Sequence, residues 1–126
     1  MNARQRDKVF QELHDDCSHI ISTKGTDYAS ERDVLDNFKR NALKCGLEPT
    51  QIWQVYFSKH LDAIDNAIKR DPKRPVCTGE PLYGRIVDSI NYLRLLACLC
   101  KEADEIHTTE QNEPLTFAKA VSIVNP

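Results

Sequence analysis

The residues best suited to chemistry lie in the strings "KHLDAI", residues 59–64, and "EPLYGRIVDSINY", residues 80–92. On a helical wheel, His60 lies at the centre of the apolar face of its predicted helix. Asp88 lies on a helix that becomes almost wholly apolar after its first turns, where an unpaired charge costs several kcal/mol. Both residues therefore require partners.

Two interpretations of these residues remain open. In the structural one, His60 is a core histidine with one hydrogen bond, and Asp88 pairs with Arg85 beside a capping Glu80. In the functional one, Asp88, Asn91, Tyr92 and His60 line a polar pocket between helices.

A zinc site is poorly supported. His14, Cys17 and His19 are close in sequence, but Cys17 and His19 lie about 160° apart on a helix and cannot converge on one ion. The chain has five cysteines, an odd number at irregular spacing. Because no export signal is visible, we expect reduced thiols and a cytoplasmic protein.

Composition and periodicity predict a single all-α domain over residues 1–126, since 29% of the residues are charged and only four are glycine. The expected helices run from about Arg4 to Ser22, from a cap at Ser30 to Cys45, from Pro49 to Arg70 and from Pro81 to about Asp104. "STKGTDYAS", residues 22–30, is expected to be a loop. The chain is expected to end in a short irregular tail, in which "AVSIV", residues 120–124, is either an edge strand or a docking segment.

The string "KGTDYA", residues 24–29, followed much later by "EPLYGRIVDSINY", resembles the phage-associated helical proteins grouped as the nucleotide-modification-associated domain. These are distant relatives of the MazG-like all-α nucleotide pyrophosphohydrolases. The family pattern is Lys-x-x-Asp-Tyr-Gly/Ala and, later, a Glu followed eight residues on by Asp and then by Asn-Tyr. The matching positions are Lys24, Asp27, Tyr28, Glu80, Asp88, Asn91 and Tyr92. "NFKR", residues 37–40, and "KHLDAI" are also similar to segments of such phage proteins.

The resemblance implies a MazG-like four-helix-type bundle that forms a homo-oligomer and binds a nucleotide between helices. It divides the domain into an N-terminal helix at residues 1–23, a nucleotide-binding helical core at 24–104 and a tail at 105–126. The residues expected to bind the ligand are Lys24, Tyr28, Arg40, Lys59, His60, Arg85, Asp88, Asn91 and Tyr92. His60, with Trp53, Tyr56 and Phe57 around it, is expected beside the base or ribose.

The catalytic relatives hold Mg²⁺ with acidic residues from two helices, and this sequence departs from that pattern. The inward face of the third helix offers His60, while Asp62 and Asp65 point away. Gly84 stands where relatives often carry an acid. Glu80 and Asp88 remain as ligands for a possible Mg²⁺ cofactor, which two acids can hold with help from substrate phosphates.

The sequence therefore favours a phage-type protein that binds and sequesters a nucleotide or a nucleotide-derived signal, as in countering an anti-phage defence. The alternatives are a Mg²⁺-dependent nucleoside triphosphate pyrophosphohydrolase and a structural helical oligomer without a ligand. We expect neither a membrane nor a nucleic acid polymer as partner, because the net charge is −2 and no run is long enough to span a bilayer. If the chain is phage-encoded, its location is the host cytoplasm.

Overall fold

The computed structural model describes residues 1–28 and 33–111, and the side chains of residues 25–28 and 111 are outside the description. This part of the chain contains four helices: α1 (Ala3–Tyr28), α2 (Asp36–Cys45), α3 (Pro49–Arg70) and α4 (Leu82–Gln111). α2 packs on α3, α3 on α4, and α4 on α1. The predicted all-α bundle is confirmed, and α4 contacts helices on two sides.

α3 has the predicted bounds. Pro49 occupies its first turn, where no backbone donor is needed, and the backbone N–H of Glu48 donates to the side-chain oxygen of Gln51 at 2.9 Å. Gly46 ends α2, as predicted, in the left-handed conformation with φ of 66°.

The predicted end of α1 at Ser22 is wrong, because the helix continues to Tyr28. The hydroxyls of Ser22 and Thr23 donate to the carbonyl of His19 at 2.8 and 3.2 Å, so these side chains are satisfied inside the helix. A glycine such as Gly25 costs a helix only about 1 kcal/mol and does not by itself end it. Lys24 is therefore a helical residue, not a loop residue.

The start of α2 and the end of α4 also differ from expectation. Asp33 begins a turn before α2, since its carboxylate accepts the N–H of Leu35 at 3.0 Å and the helix starts at Asp36. The predicted cap at Ser30 lies outside the described residues. α4 continues past Asp104, so residues 105–111 are helical, whereas residues 112–126, with "AVSIV", lie outside the description.

The main core lies between α2, α3 and α4. Its buried members are Leu35, Phe38, Ala42, Ile52, Trp53 and Leu99. The Phe38 ring meets the Tyr92 ring edge to face at a centroid distance of 6.4 Å. The indole N–H of Trp53 donates to the backbone carbonyl of Tyr92 at 2.5 Å, which joins α3 to α4 inside this core.

α1 is attached to α4 by a separate contact. Cys17 is fully buried against α4, and burial raises the pKa of its thiol, so it packs as a small apolar group. The side-chain amide of Asn91, which is also buried, donates to the carbonyl of Cys17 at 2.9 Å. This bond satisfies a polar side chain that burial would otherwise make costly.

We expect Phe38→Ala to lower the free energy of unfolding by about 3–5 kcal/mol, because it removes a ring that is 1% exposed at the centre of the core. Urea denaturation followed by circular dichroism measures this change. The control is Leu43→Ala on the same helix, where the side chain is 85% exposed and the expected change is below about 0.5 kcal/mol. Similar losses in both variants would contradict the described core.

Candidate ligand-binding site

Six of the predicted site residues meet at the junction of α1, α3 and α4. We call this group the three-helix site: Lys24 from α1, His60 from α3, Arg85, Asp88 and Tyr92 from α4, and Glu80 from the segment before α4. Gly79, with φ of 80°, forms a turn that brings Glu80 back towards Cys77 and places it before the helix.

Arg85 is held from two directions. Its Nε atom pairs with Oε1 of Glu80, and both atoms are buried. Its Nη1 atom lies 3.1 Å from Nδ1 of His60. Because a guanidinium can only donate, Nδ1 must accept, and the imidazole carries its proton on Nε2.

The electrostatic surroundings of His60 agree with a neutral ring. Burial lowers the pKa of the imidazole below its ordinary value of 6.5. The carboxylate of Asp88 opposes this change most strongly, the guanidinium of Arg85 adds to it, and Glu80 and Lys24 contribute less in opposite directions. The ring packs against Tyr92 at a centroid distance of 4.9 Å. The predicted inward position of His60 is thus observed.

Asp88 does not form the pair with Arg85 that the structural interpretation gave it. Its carboxylate accepts a hydrogen bond from Nζ of Lys24 at 3.3 Å, in an ion pair between α4 and α1. The Asp88 side chain is 23% exposed and that of Lys24 is 57% exposed. Such a pair contributes little to stability, since solvent screens it, and its lysine is free to reorient. The partner that the structure shows, Lys24, is 64 positions away in sequence, so local spacing could not identify it.

The other predicted ligand residues lie apart from this group. Asn91 bonds to Cys17 on α1. Arg40 pairs with Asp36 on its own helix at 2.7 Å, and Lys59 is exposed with its ammonium 5.9 Å from the Tyr56 ring centroid. The side chain of Tyr28 lies outside the described residues.

The proposed magnesium ligands each face a cation, Glu80 facing Arg85 and Asp88 facing Lys24. Within residues 1–24 and 33–110, no three His, Cys, Asp or Glu side chains cluster as a metal-binding group. A Cβ atom at Gly84 would meet nothing within 4 Å, so packing does not prevent an acid at this position. Magnesium binding remains a prediction.

Sequence reasoning missed a second arginine–histidine pair, between Arg94 of α4 and His14 of α1. His14 was considered only as a zinc ligand, and no local pattern links residues that are 80 positions apart. The predicted periodicity of α1 and α4 was the available signal, because it places both residues beside the face on which the helices pack.

Comparisons with protein-family models, with curated proteins and with solved structures find no match to this chain. None of the described helices carries an apolar run that would suit a bilayer crossing.

We expect His60 to titrate with a pKa below 6.5 in the folded protein, because burial disfavours the imidazolium. The unfolded chain then binds more protons than the folded one as the pH falls below 6.5, so this residue contributes stability above that pH and loses it below. NMR titration of the imidazole carbon-bound protons measures the pKa, with His60→Gln assigning the signal.

The same variant gives an independent check on stability. His60→Gln keeps an oxygen that can accept from Arg85 but cannot take up a proton, so its free energy of unfolding falls less steeply between pH 6.5 and lower pH than that of the wild type. A wild-type pKa at or above 6.5 would contradict the described environment.

Proposed function

We propose that this chain is a nucleotide-binding protein that captures a nucleotide or a nucleotide-derived signal without turning it over. The observation that supports this most is the convergence of Lys24, Arg85 and Asp88 beside the ring pair of His60 and Tyr92. Two cations, a carboxylate and aromatic rings are the groups that bind phosphate, ribose and base.

Lys24 is the residue that contacts the phosphate. Its side chain is more than half exposed and its ammonium pairs with one carboxylate oxygen, so it can exchange that partner for a phosphate. A phosphate carries more negative charge than a carboxylate and attracts the ammonium more strongly. Arg85 stays bound to Glu80 and adds positive potential from within the site.

Once Lys24 has turned to the phosphate, the Asp88 carboxylate is an acceptor for ribose hydroxyls. The Nε2–H group of His60 is a donor without a partner among the described residues, and it suits a base or ribose oxygen. The aromatic surface predicted around His60 is smaller than expected, because Trp53 is buried and stacks on Phe57 at 4.7 Å. His60 and Tyr92 are therefore the residues that contact the base.

Capture is preferred to hydrolysis because both candidate magnesium ligands are already paired with cations. The phage origin, the MazG-like fold and the role against a bacterial defence signal are part of this proposal and rest on the resemblance of residues 24–29 and 80–92. The alternative, a Mg²⁺-dependent pyrophosphohydrolase, would use the same residues, with Asp88 and Glu80 as the side chains that would hold the metal.

To test the proposal, the protein is incubated with linear and cyclic nucleotides, with and without Mg²⁺, and then denatured. We expect intact ligand to be recovered after denaturation, and Asp88→Asn and His60→Ala to weaken binding at least about tenfold while remaining helical. The matched control is Asp62→Asn, which makes the same chemical change at an exposed carboxylate of α3.

The other outcomes are equally specific. Pyrophosphate release that needs Mg²⁺ and is lost in Asp88→Ala would replace capture with hydrolysis. If the protein neither binds nor hydrolyses any nucleotide of the panel, the structural oligomer without a ligand is the remaining alternative. If both site variants keep full affinity, the ligand binds outside the three-helix site.

We further propose that the chain forms a homo-oligomer through an apolar stripe on α4. Ile86, Leu93 and Ala97 fall on one face of this helix and are exposed, with Leu93 at 50%. A contiguous exposed apolar stripe is typical of a protein interface, and a second copy of the chain would bury it.

We expect the wild type to have an oligomeric mass by light scattering and Leu93→Glu to be monomeric and helical, because a charge in an apolar interface must be desolvated. Leu43→Glu introduces the same change at an exposed position of α2 and should retain the wild-type mass. A monomeric wild type would exclude the interface.

A further inference from the structure

A second group of polar side chains joins α1 to α4 around Arg94. Its Nη2 atom lies 3.0 Å from Nδ1 of His14, and its Nη1 atom donates to Oγ of Ser18 and Oδ1 of Asn91, each at 3.4 Å. Arg94 follows Arg85 by nine residues, which places the two guanidiniums on opposite sides of α4, about 180° apart. This group is therefore separate from the three-helix site.

The charge of Arg94 has no acidic partner among the described residues. All three of its acceptors are neutral, and no described carboxylate lies within ion-pair distance, whereas Arg85 pairs with both a histidine and Glu80. The nearest acids in sequence on α1 have other contacts: Asp15 accepts from Gln11 at 3.0 Å and Asp16 from Tyr83 at 2.6 Å.

The guanidinium is also held in place before any ligand arrives. Asn91 is 6% exposed and is fixed by its bond to the Cys17 carbonyl, so the oxygen that it offers to Arg94 is rigid. Arg94 is half-buried, whereas Arg74 is exposed. Of the five guanidinium N–H donors, the described residues use three, and two remain for a ligand.

Two further donors lie beside it. Because Nδ1 of His14 accepts from Arg94, the ring proton is on Nε2 and can be donated. The hydroxyl of Ser18 accepts from Arg94 with its oxygen and keeps its own proton for another acceptor. A guanidinium with unused N–H donors and two neutral donors beside it supplies the kinds of groups that bind oxyanions.

We propose that Arg94, His14 and Ser18 form an oxyanion site on the α1–α4 surface that binds a phosphate group. The bound anion takes the place beside Arg94 that Glu80 takes beside Arg85. Because the site shares no residue with the three-helix site, it does not depend on nucleotide binding there.

The experiment titrates inorganic phosphate into the full chain at constant ionic strength, with sodium chloride as the balancing salt. The readouts are the Nε–H resonance of Arg94, assigned with Arg94→Lys, and the melting temperature. We expect a saturable shift with a dissociation constant on the order of 1 mM and a rise in melting temperature. Arg94→Gln should lose both the saturation, followed at the amides of His14 and Ser18, and the rise.

Two controls distinguish phosphate binding at Arg94 from a general charge effect and from binding at the three-helix site. Arg74→Gln makes the same charge change at an exposed arginine and should keep the response, and Arg85→Gln should keep it while losing nucleotide. No saturable shift at Arg94, or an equal response in Arg94→Gln, would overturn the proposal and show that Arg94 only joins the helices. A phosphate response lost in Arg85→Gln would instead assign the anion to the three-helix site.

Discussion

The hydrogen bond from the Trp53 indole to the Tyr92 carbonyl sets the register between α3 and α4, and the candidate site depends on that register. His60 follows Trp53 by seven positions along α3, and Tyr92 follows Arg85 by seven positions along α4. The two helices are antiparallel, so moving two turns forward along α3 and two turns back along α4 covers the same distance in the same direction. Both steps end about 10 Å from the indole hydrogen bond. There His60 meets Arg85. A buried indole can donate at only one atom, so sliding either helix would leave it unsatisfied.

The polar residues of α4 follow from its position between two helices. One side meets the aromatic residues of α3, and the other meets α1, which contributes no described residue to the main core. Asn91 and Asp88 face that second helix, and each is satisfied by a group of α1, the Cys17 carbonyl or the Lys24 ammonium. The buried amide of Asn91 therefore specifies where α1 packs, whereas the Asp88–Lys24 pair reaches solvent and adds little to this specificity. Leucine at position 91 would pack on α1 without selecting a partner atom.

Sequence reasoning succeeded where the signal was local. The proline at the start of α3, the glycine after α2 and the inward face that carries His60 follow from spacing and backbone chemistry. Sequence reasoning failed where the contact that a side chain makes is with a residue far away in the sequence. The structural interpretation paired Arg85 with Asp88 because residues three positions apart are neighbours on a helix, but Arg85 contacts Glu80 and His60 instead. Helix ends were misjudged because a glycine and two hydroxyls weaken a helix without ending it, as at residues 22–25.

The cations of the two ion pairs in the three-helix site are held differently. Arg85 has a second partner in His60, whereas Lys24 pairs only with Asp88 among the described residues. The facing atoms of Arg85 and Glu80 are buried within side chains that are 29% and 39% exposed, and Arg85 is also bound to His60, so separating this pair disrupts a second contact. Lys24 and Asp88 reach solvent and separate at little cost. The first pair thus fixes the guanidinium that donates to neutral His60. In the second pair, Lys24 and Asp88 can exchange each other for groups of a ligand. A ligand that carries both an anion and a hydroxyl gives Lys24 and Asp88 each a new partner when their ion pair separates. A simple anion would give a new partner to Lys24 alone.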